Sequence, residues 1–259
     1  MSGFQDHFSE RAAGYATYRP TYPDDLFEWL ASRAPSRRLA WDCATGSGQA
    51  VAGLARRFER VVATDASADQ LKNARPFPNV EYRVARAEAS ELEAGSVDLI
   101  TVAQALHWFD HGTFFAEVGR VARPGAIVAA WMYNLMQVSP EFDQILARFY
   151  SETVGPFWPG ERVYVDQGYR TVSIPFRELA PPPFEMEADW SFDHLLGYLR
   201  TWSAVARYAK ARGDDPVALV APELARHWGA PDLVRRVCWP IALRVAVVEP
   251  PETATPTPS

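Results

Sequence analysis

The chain has few of the features that would assign it to a special class. Only two cysteines occur in 259 residues, Cys43 and Cys238. They stand 195 positions apart in separate apolar runs, with no metal-ligand spacing between them. A disulfide framework and a cysteine-based metal centre are therefore not expected, and both read as small buried thiols. Positive charge is also scarce: 26 Lys+Arg face 32 Asp+Glu, for a formal net charge of -6. Binding to nucleic acid rests largely on neutralising phosphates, so DNA and RNA are not expected partners. The Arg235-Arg236 pair is too small to reverse this and reads as a solvated strand start. No run approaches the roughly 20 apolar residues of a membrane helix. The opening MSGFQDHFSER is polar with no apolar stretch behind it, so no secretory signal and a cytoplasmic location are expected. Internal repeats are absent.

What is present is apolar mass. Hydrophobic residues make up 48% and charged residues 22%, enough to bury a core for one large α/β domain. The two halves differ in texture. Residues 1–133 alternate apolar runs with amphipathic stretches, the pattern of repeated β–α units. Strands are expected at Leu39–Cys43, Arg60–Asp65, Val80–Ala85, Val97–Ala103 and Ala126–Trp131, with helices at Gln49–Phe58, Asp69–Ala74 and Thr113–Ala122. The fourth strand is nearly all apolar, as a strand covered on both faces should be. Residues 134–234 lose the rhythm and are rich in Trp, Tyr, Phe and Pro. Helical patterns lie at Glu141–Thr153, Phe192–Trp202 and Pro216–Trp228, and strands at Phe184–Trp190 and Val237–Val248. The Pro/Thr-rich end, 249–259, reads as a disordered tail.

The stretch Asp42-Cys43-Ala44-Thr45-Gly46-Ser47-Gly48 follows a strand and precedes a helix. Glycines there allow close backbone approach to a ligand, and a helix start offers N–H groups. Asp65 ends the next strand, 17 residues after Gly48, where an acid can accept both hydroxyls of a ribose. With no ligand-independent reason for an acid at Asp65, a ligand role is expected. Dinucleotide-binding folds share these features, yet their G-x-G-x-x-G pattern would put its third glycine on Val51. Asp42 would also repel a pyrophosphate, whereas it can hold an ammonium, directly or through water. A ligand with ammonium, ribose and adenine but no phosphate fits better than NAD.

These residues resemble class I methyltransferases of the type 11 group, which use S-adenosylmethionine, and within it the trans-aconitate methyltransferase group. The resemblance is carried by Tyr15-Ala16-Thr17-Tyr18-Arg19-Pro20-Thr21-Tyr22-Pro23, by Asp42 to Gln49, by Ala87-Glu88, by Ser96-Val97-Asp98-Leu99-Ile100 and by Gln104-Ala105-Leu106-His107-Trp108-Phe109-Asp110. It covers residues 4–133 and thins afterwards, although Trp239-Pro240-Ile241-Ala242-Leu243 resembles the family's final strand. It implies a Rossmann-like, doubly wound, mostly parallel sheet of seven strands. Residues 1–133 would be the cofactor core with an N-terminal capping helix, 134–234 an aromatic-rich acceptor lid, and 235–248 the returning last strand.

The resemblance also implies site residues. Asp42, Ala44, Gly46 and Gly48 would cradle the methionine end, Asp65 the ribose, and Ala66, Ala87 and Glu88 the adenine. Gln104 and Ala105 would form the rim near the sulfonium, with Tyr15 and Arg19 closing from the N-terminal side. Ala44 stands where the wider superfamily has glycine and fits there if its φ is negative. His107, past the fourth strand, is the candidate base or positioning residue. Trp108, Trp131, Tyr133, Trp158 and Trp202 are candidate walls for a small-molecule acceptor, and Arg170, Arg200 and Arg207 candidate partners for an anionic one. No metal ligand is expected. The expected activity is methyl transfer to a small molecule, at an oxygen and in the family neighbour's case a carboxylate. Alternatives are O- or N-methylation of a secondary metabolite, or a non-catalytic cofactor-binding protein, in either case as monomer or homodimer.

Overall fold

The computed structural model describes residues 20–230 and 232–249. A first helix, α1 (Asp24–Arg33), leads into strand β1 (Leu39–Cys43), helix α2 (Val51–Ala55), β2 (Arg60–Asp65), α3 (Ala68–Leu71) and β3 (Val80–Val84). Then come β4 (Val97–Ala103), a single 3₁₀ turn (Leu106–Trp108), α4 (His111–Val121) and β5 (Ala122–Tyr133). The second half holds α5 (Pro140–Arg148), α6 (Arg162–Asp166), β6 (Arg177–Leu179), β7 (Phe184–Trp190), α7 (Phe192–Arg200), α8 (Ser203–Arg212), α9 (Pro216–Trp228) and β8 (Arg235–Val248).

The sheet order is β3-β2-β1-β4-β5-β8-β6, with β7 also paired to β8. Strands β1 to β5 run parallel and β8 returns antiparallel to β5. The far edge of β8 is shared: β7 pairs with its first half and β6 with Val245–Val247. The sheet is thus seven positions wide, as expected, with eight strands because two short segments occupy the last position. β1 is buried at every residue and β4 at six of seven. Such continuous burial follows from layers on both faces of a parallel sheet.

Alternate residues of each strand point to opposite faces. Ala40, Val61, Leu99, Ile127, Ala129 and Trp131 join one core with α1 and the helices of the second half. Trp41, Val62, Ile100, Val102, Val128 and Ala130 join another with Phe114, Phe115 and Val118 of α4. The helices of the second half thus share a core with one face of the sheet, while Val165, Tyr169 and Val172 join the core on the other. Gly53 sets the contact of α2 with α1, since a Cβ there would lie 2.2 Å from the Phe27 ring. Chain order reverses between β1 and β4, so a crevice opens at their carboxyl ends, where open α/β sheets bind ligands.

The expected helix over Gln49–Phe58 is shorter, because residues 46–50 wind through turns first. The helix expected over Phe192–Trp202 ends at Arg200; Trp202 is extended (φ -66, ψ 134) and caps a further helix, α8, that was not expected. Pro222, by contrast, is carried inside α9 without ending it. Cys43 is fully buried, but Cys238 is only half-buried on β8, against the expectation for both. Arg236 is exposed and pairs with Glu187 and Asp189 of β7. Among the described residues no helix is long and apolar enough to cross a membrane, and no group of three His, Cys, Asp or Glu could hold a metal ion.

Candidate active site

Parallel register puts Asp42 of β1 beside Thr101 of β4. The Thr101 hydroxyl donates to one Asp42 oxygen at 2.7 Å and the Thr45 hydroxyl to the other at 2.5 Å. Burial pushes the Asp42 carboxyl up to about 6 against the opposing pull of these two hydroxyls, with the charge of Asp65 adding to the rise. Both Asp42 oxygens thus hold the loop to β4, whatever else they contact.

After β1 the backbone enters the left-handed region three times, at Ala44 (φ 53), Gly46 (φ 57) and Gly48 (φ 83). The condition on which an alanine was expected to fit here, a negative φ, is not met. A non-glycine residue there carries strain on the order of 1 kcal/mol, and such strain collects where a backbone is shaped for a ligand. Gly48 leaves room that a side chain would lose, since a Cβ would come within 3.2 Å of the Tyr82 hydroxyl.

Asp65, at the end of β2, accepts the Gly46 N–H through one oxygen at 2.8 Å and the Ser67 N–H through the other at 2.8 Å. The acid therefore has a structural task that sequence reasoning missed: it ties the glycine turn to β2. Ala66 is half-buried beside it. Ala87 is buried after β3, and Glu88 accepts the Asp110 N–H at 3.3 Å, joining that loop to the start of α4. Gln104 follows β4 with φ 59; its backbone N–H donates to the Trp131 carbonyl and its side-chain amide to the Tyr133 carbonyl at 3.0 Å. Ala105 is buried next to it. These residues all lie at one edge of the sheet. Tyr15 and Arg19 lie outside the described residues.

His107 sits in the 3₁₀ turn, with Nδ1 3.0 Å from the Tyr169 hydroxyl and its ring centre 4.7 Å from that of Trp108. Burial, and then the positive charges of Arg162 and His111, hold its pKa down at about 3. Burial also raises the Tyr169 phenol. At neutral pH the pair is uncharged, a hydrogen-bonded brace between β4 and the segment after α6.

The expected acceptor walls divide. Trp131 is fully buried and meets Tyr22 and Phe27 edge-on, so it is core and presents no face to a ligand. Tyr133 is buried at the end of β5, and Trp202 is buried against Phe149, Tyr150 and Trp158. Trp108 and Trp158 keep exposed surface. Of the arginines, Arg200 pairs with Asp215 at the surface, Arg207 reaches the Phe157 carbonyl, and Arg170 is exposed. Among the described residues, none of these contacts is with a strand end.

A different arginine approaches one, and the sequence did not point to it. Arg162 Nε donates to the Tyr150 hydroxyl at 2.6 Å and Nη2 to Asn134 Oδ1 at 2.8 Å. Asn134 follows β5 directly. Asp166 Oδ1 accepts from Tyr150 at 2.5 Å and from the Asn134 amide at 3.2 Å. The Trp158 ring covers the guanidinium at 4.4 Å. The one available signal was the Arg162/Asp166 spacing of one helical turn, which is common on any helix.

Comparison with known proteins shows the family to which this fold belongs. The family profile described as "Methyltransferase domain" matches residues 41–130, from β1 to β5. A methyltransferase of Dictyostelium discoideum is 35% identical over 233 residues, spanning 88% of this chain and 89% of its own. The trans-aconitate 2-methyltransferase of an Azoarcus species is 35% identical over 163 residues, 61% of this chain and 56% of that protein. A solved type II methyltransferase structure from Anaeromyxobacter dehalogenans superposes with a TM-score of 0.85 at 49% identity, covering 90% of this chain and 99% of that one.

Proposed function

The chain belongs to the S-adenosylmethionine-dependent class I methyltransferases, and within that family we propose that it methylates an oxygen of a small carboxylic acid. The observation that carries this reading is the state of His107. An imidazole held at about 3 is a poor proton acceptor at neutral pH, because an efficient general base has a pKa near the working pH. A nucleophile that arrives already ionised needs no such base, and a carboxylate does so. The relative named for trans-aconitate supports the same acceptor class.

The cofactor edge fits the group. Three left-handed backbone positions form an open cradle, and the charge there is acidic, suited to an ammonium and ribose rather than a pyrophosphate. In this proposal Ala44, Gly46 and Gly48 receive the methionine end over the carboxylate of Asp42. Asp65 binds the ribose while it holds the Gly46 N–H, and Ala66, Ala87 and Glu88 border the adenine. Gln104 and Ala105 form the rim. When bound, S-adenosylmethionine supplies a methyl group already activated on a sulfonium, open to displacement by an ionised oxygen without prior proton removal. The protein's work is then to align the two partners and exclude water. His107 positions the segment that carries Tyr169, and the exposed face of Trp108 lines the approach. The proposal places the enzyme in the cytoplasm, as monomer or homodimer, acting on a dissolved acceptor. The excess of Asp and Glu over Lys and Arg supports an acceptor other than nucleic acid.

The experiment is a transfer assay with methyl-labelled cofactor and a panel of mono-, di- and tricarboxylic acids, phenols and amines. A labelled product that releases methanol in mild alkali is the expected ester. Label that survives alkali would move the reaction to a hydroxyl or amine. Intact cofactor binding with no transfer to any acceptor would leave a cofactor-binding protein.

A further inference from the structure

We propose that Arg162 is the anion-recognising residue of the acceptor site, gripping a carboxylate of a di- or tricarboxylic acid other than the one that receives the methyl group. The proposal rests on the carboxylate reading above and adds the specificity-determining residue and the acid class.

The guanidinium borders a cavity of about 340 Å³, together with Tyr150, Trp158 and Asp166. That is the lower end of the size range of small-molecule sites, suited to a compact acid. Its orientation is fixed before any ligand arrives. Nε and Nη2 donate to Tyr150 and Asn134, and the rings of Trp158 and Tyr150 lie 4.4 and 5.4 Å from its central carbon. A guanidinium has five N–H donors. Two are engaged, and among the described residues no acceptor takes either Nη1 proton or the second Nη2 proton. The paired Nη groups are the fork that matches a carboxylate, and an immobilised fork loses little entropy on binding.

Asp166 is the charge that argues against an anion here, and its geometry limits the objection. It lines the same cavity, but its contact with the guanidinium is with Nε, at 3.7 Å, and Oδ1 already accepts from Tyr150 and Asn134. It fixes the arginine and leaves the fork open.

Arg162 itself is linked to the proposed transfer site through Asn134. Asn134 follows Tyr133, whose carbonyl holds the Gln104 side chain at the cofactor rim, and the charge of Arg162 is felt at His107. A carboxylate clamped in a guanidinium fork is a poor nucleophile, so the acid must bring a second carboxylate to be methylated. That requirement selects polyacids over monoacids.

The test uses the full-length protein saturated with S-adenosylhomocysteine, so that binding is read without turnover. Tricarballylate, succinate, butyrate and inorganic phosphate are titrated by calorimetry against wild type, Arg162→Gln and Arg162→Lys, with homocysteine-product affinity as the folding control. Tricarballylate or succinate should bind wild type at least tenfold tighter than butyrate or phosphate. Arg162→Gln should lose at least tenfold for the polyacid with unchanged S-adenosylhomocysteine affinity, and Arg162→Lys, which keeps the charge but not the fork, should recover only part. Should Arg162→Gln lose S-adenosylhomocysteine binding, the Lys variant alone decides, and polyacid affinity equal to wild type overturns the proposal. So does equal polyacid binding by Arg162→Gln, tighter binding of phosphate, or no polyacid binding by wild type. Polyacid binding that depends on Arg162 while the product is alkali-stable would retain the subsite and defeat the ester reading. Ester formation indifferent to Arg162 would do the reverse.

Discussion

The two ends of the crevice are built in different ways. At the proposed cofactor end the groups are backbone atoms and short side chains from consecutive residues, 42–48, locked by Thr101 and Asp65 of neighbouring strands. At the proposed acceptor end the polar groups are long side chains from His107, Asn134, Tyr150, Arg162 and Tyr169, brought together only by tertiary packing. The first construction depends on strand register and can persist while the rest of the chain changes. The second can be rebuilt residue by residue, which is how one fold serves many acceptors. If this division is right, damage at one end should leave the other intact.

The largest separable effect is expected at Asp65. Asp65→Ala should weaken cofactor binding by roughly 2–4 kcal/mol, through the lost ribose contacts and the untied Gly46 turn. Polyacid binding at Arg162 should stay as in wild type. If both affinities fall together, or cofactor affinity is untouched, the division between the two ends is broken.

Next in size is the pH dependence set by Asp42. Its carboxyl is raised from 3.8 to about 6 in the folded protein. The folded state therefore holds this proton more tightly than the unfolded chain. Between pH 4 and pH 6 the contribution of Asp42 to stability falls as pH rises, by up to about 3 kcal/mol at 1.36 kcal/mol per unit. Carboxyls held low by partners, such as Glu117 beside Arg120, act in the opposite direction, so the informative quantity is the difference between wild type and Asp42→Asn. Denaturant melts of the cofactor-free proteins across that window should show a difference that changes with pH, and parallel curves would contradict the assignment.

A smaller effect is expected at Ala44. Ala44→Gly removes the side chain from a left-handed position and should stabilise the protein by about 0.5–1 kcal/mol, offset in part by the extra freedom of glycine when unfolded. A loss of stability of that size would mean the methyl packs usefully against its surroundings.

The same contrast explains what the sequence disclosed. The parallel strands were legible because each is a short apolar run bounded by turn residues, and Asp42, Gly46, Gly48 and Asp65 fall at their ends by chain order alone. The sign of φ at Ala44 was not legible, because nothing local compels an alanine into that region. The tie from Asp65 to Gly46 was hidden for a similar reason, since it depends on the side-by-side register of β1 and β2. In the second half, the break between α7 and α8 carries neither glycine nor proline, so the usual punctuation gave no sign of it, whereas the helix expected over Pro216–Trp228 runs through Pro222 as read. Arg162 was passed over for Arg170, Arg200 and Arg207 because what distinguishes it is the company of Asn134, Tyr150 and Trp158. That company is a property of the packed molecule. Trp131 was misjudged as an acceptor wall for the converse reason, since its pattern as a strand-end aromatic does not reveal that Tyr22 and Phe27 cover it.

The smallest expected effect tests the central claim most directly, which is that methyl transfer here needs no general base. The measurement is the pH–rate profile of turnover between pH 5 and 8 for wild type and His107→Gln, on whichever acid the transfer assay identifies. With His107 held at about 3, the account predicts that turnover changes less than tenfold and that neither profile has a limb near the ordinary imidazole value of about 6.5. A loss of ~10²–10⁴ in turnover with unaltered cofactor affinity, together with disappearance of a wild-type limb near that value, would contradict it and make His107 the base for a protonated nucleophile.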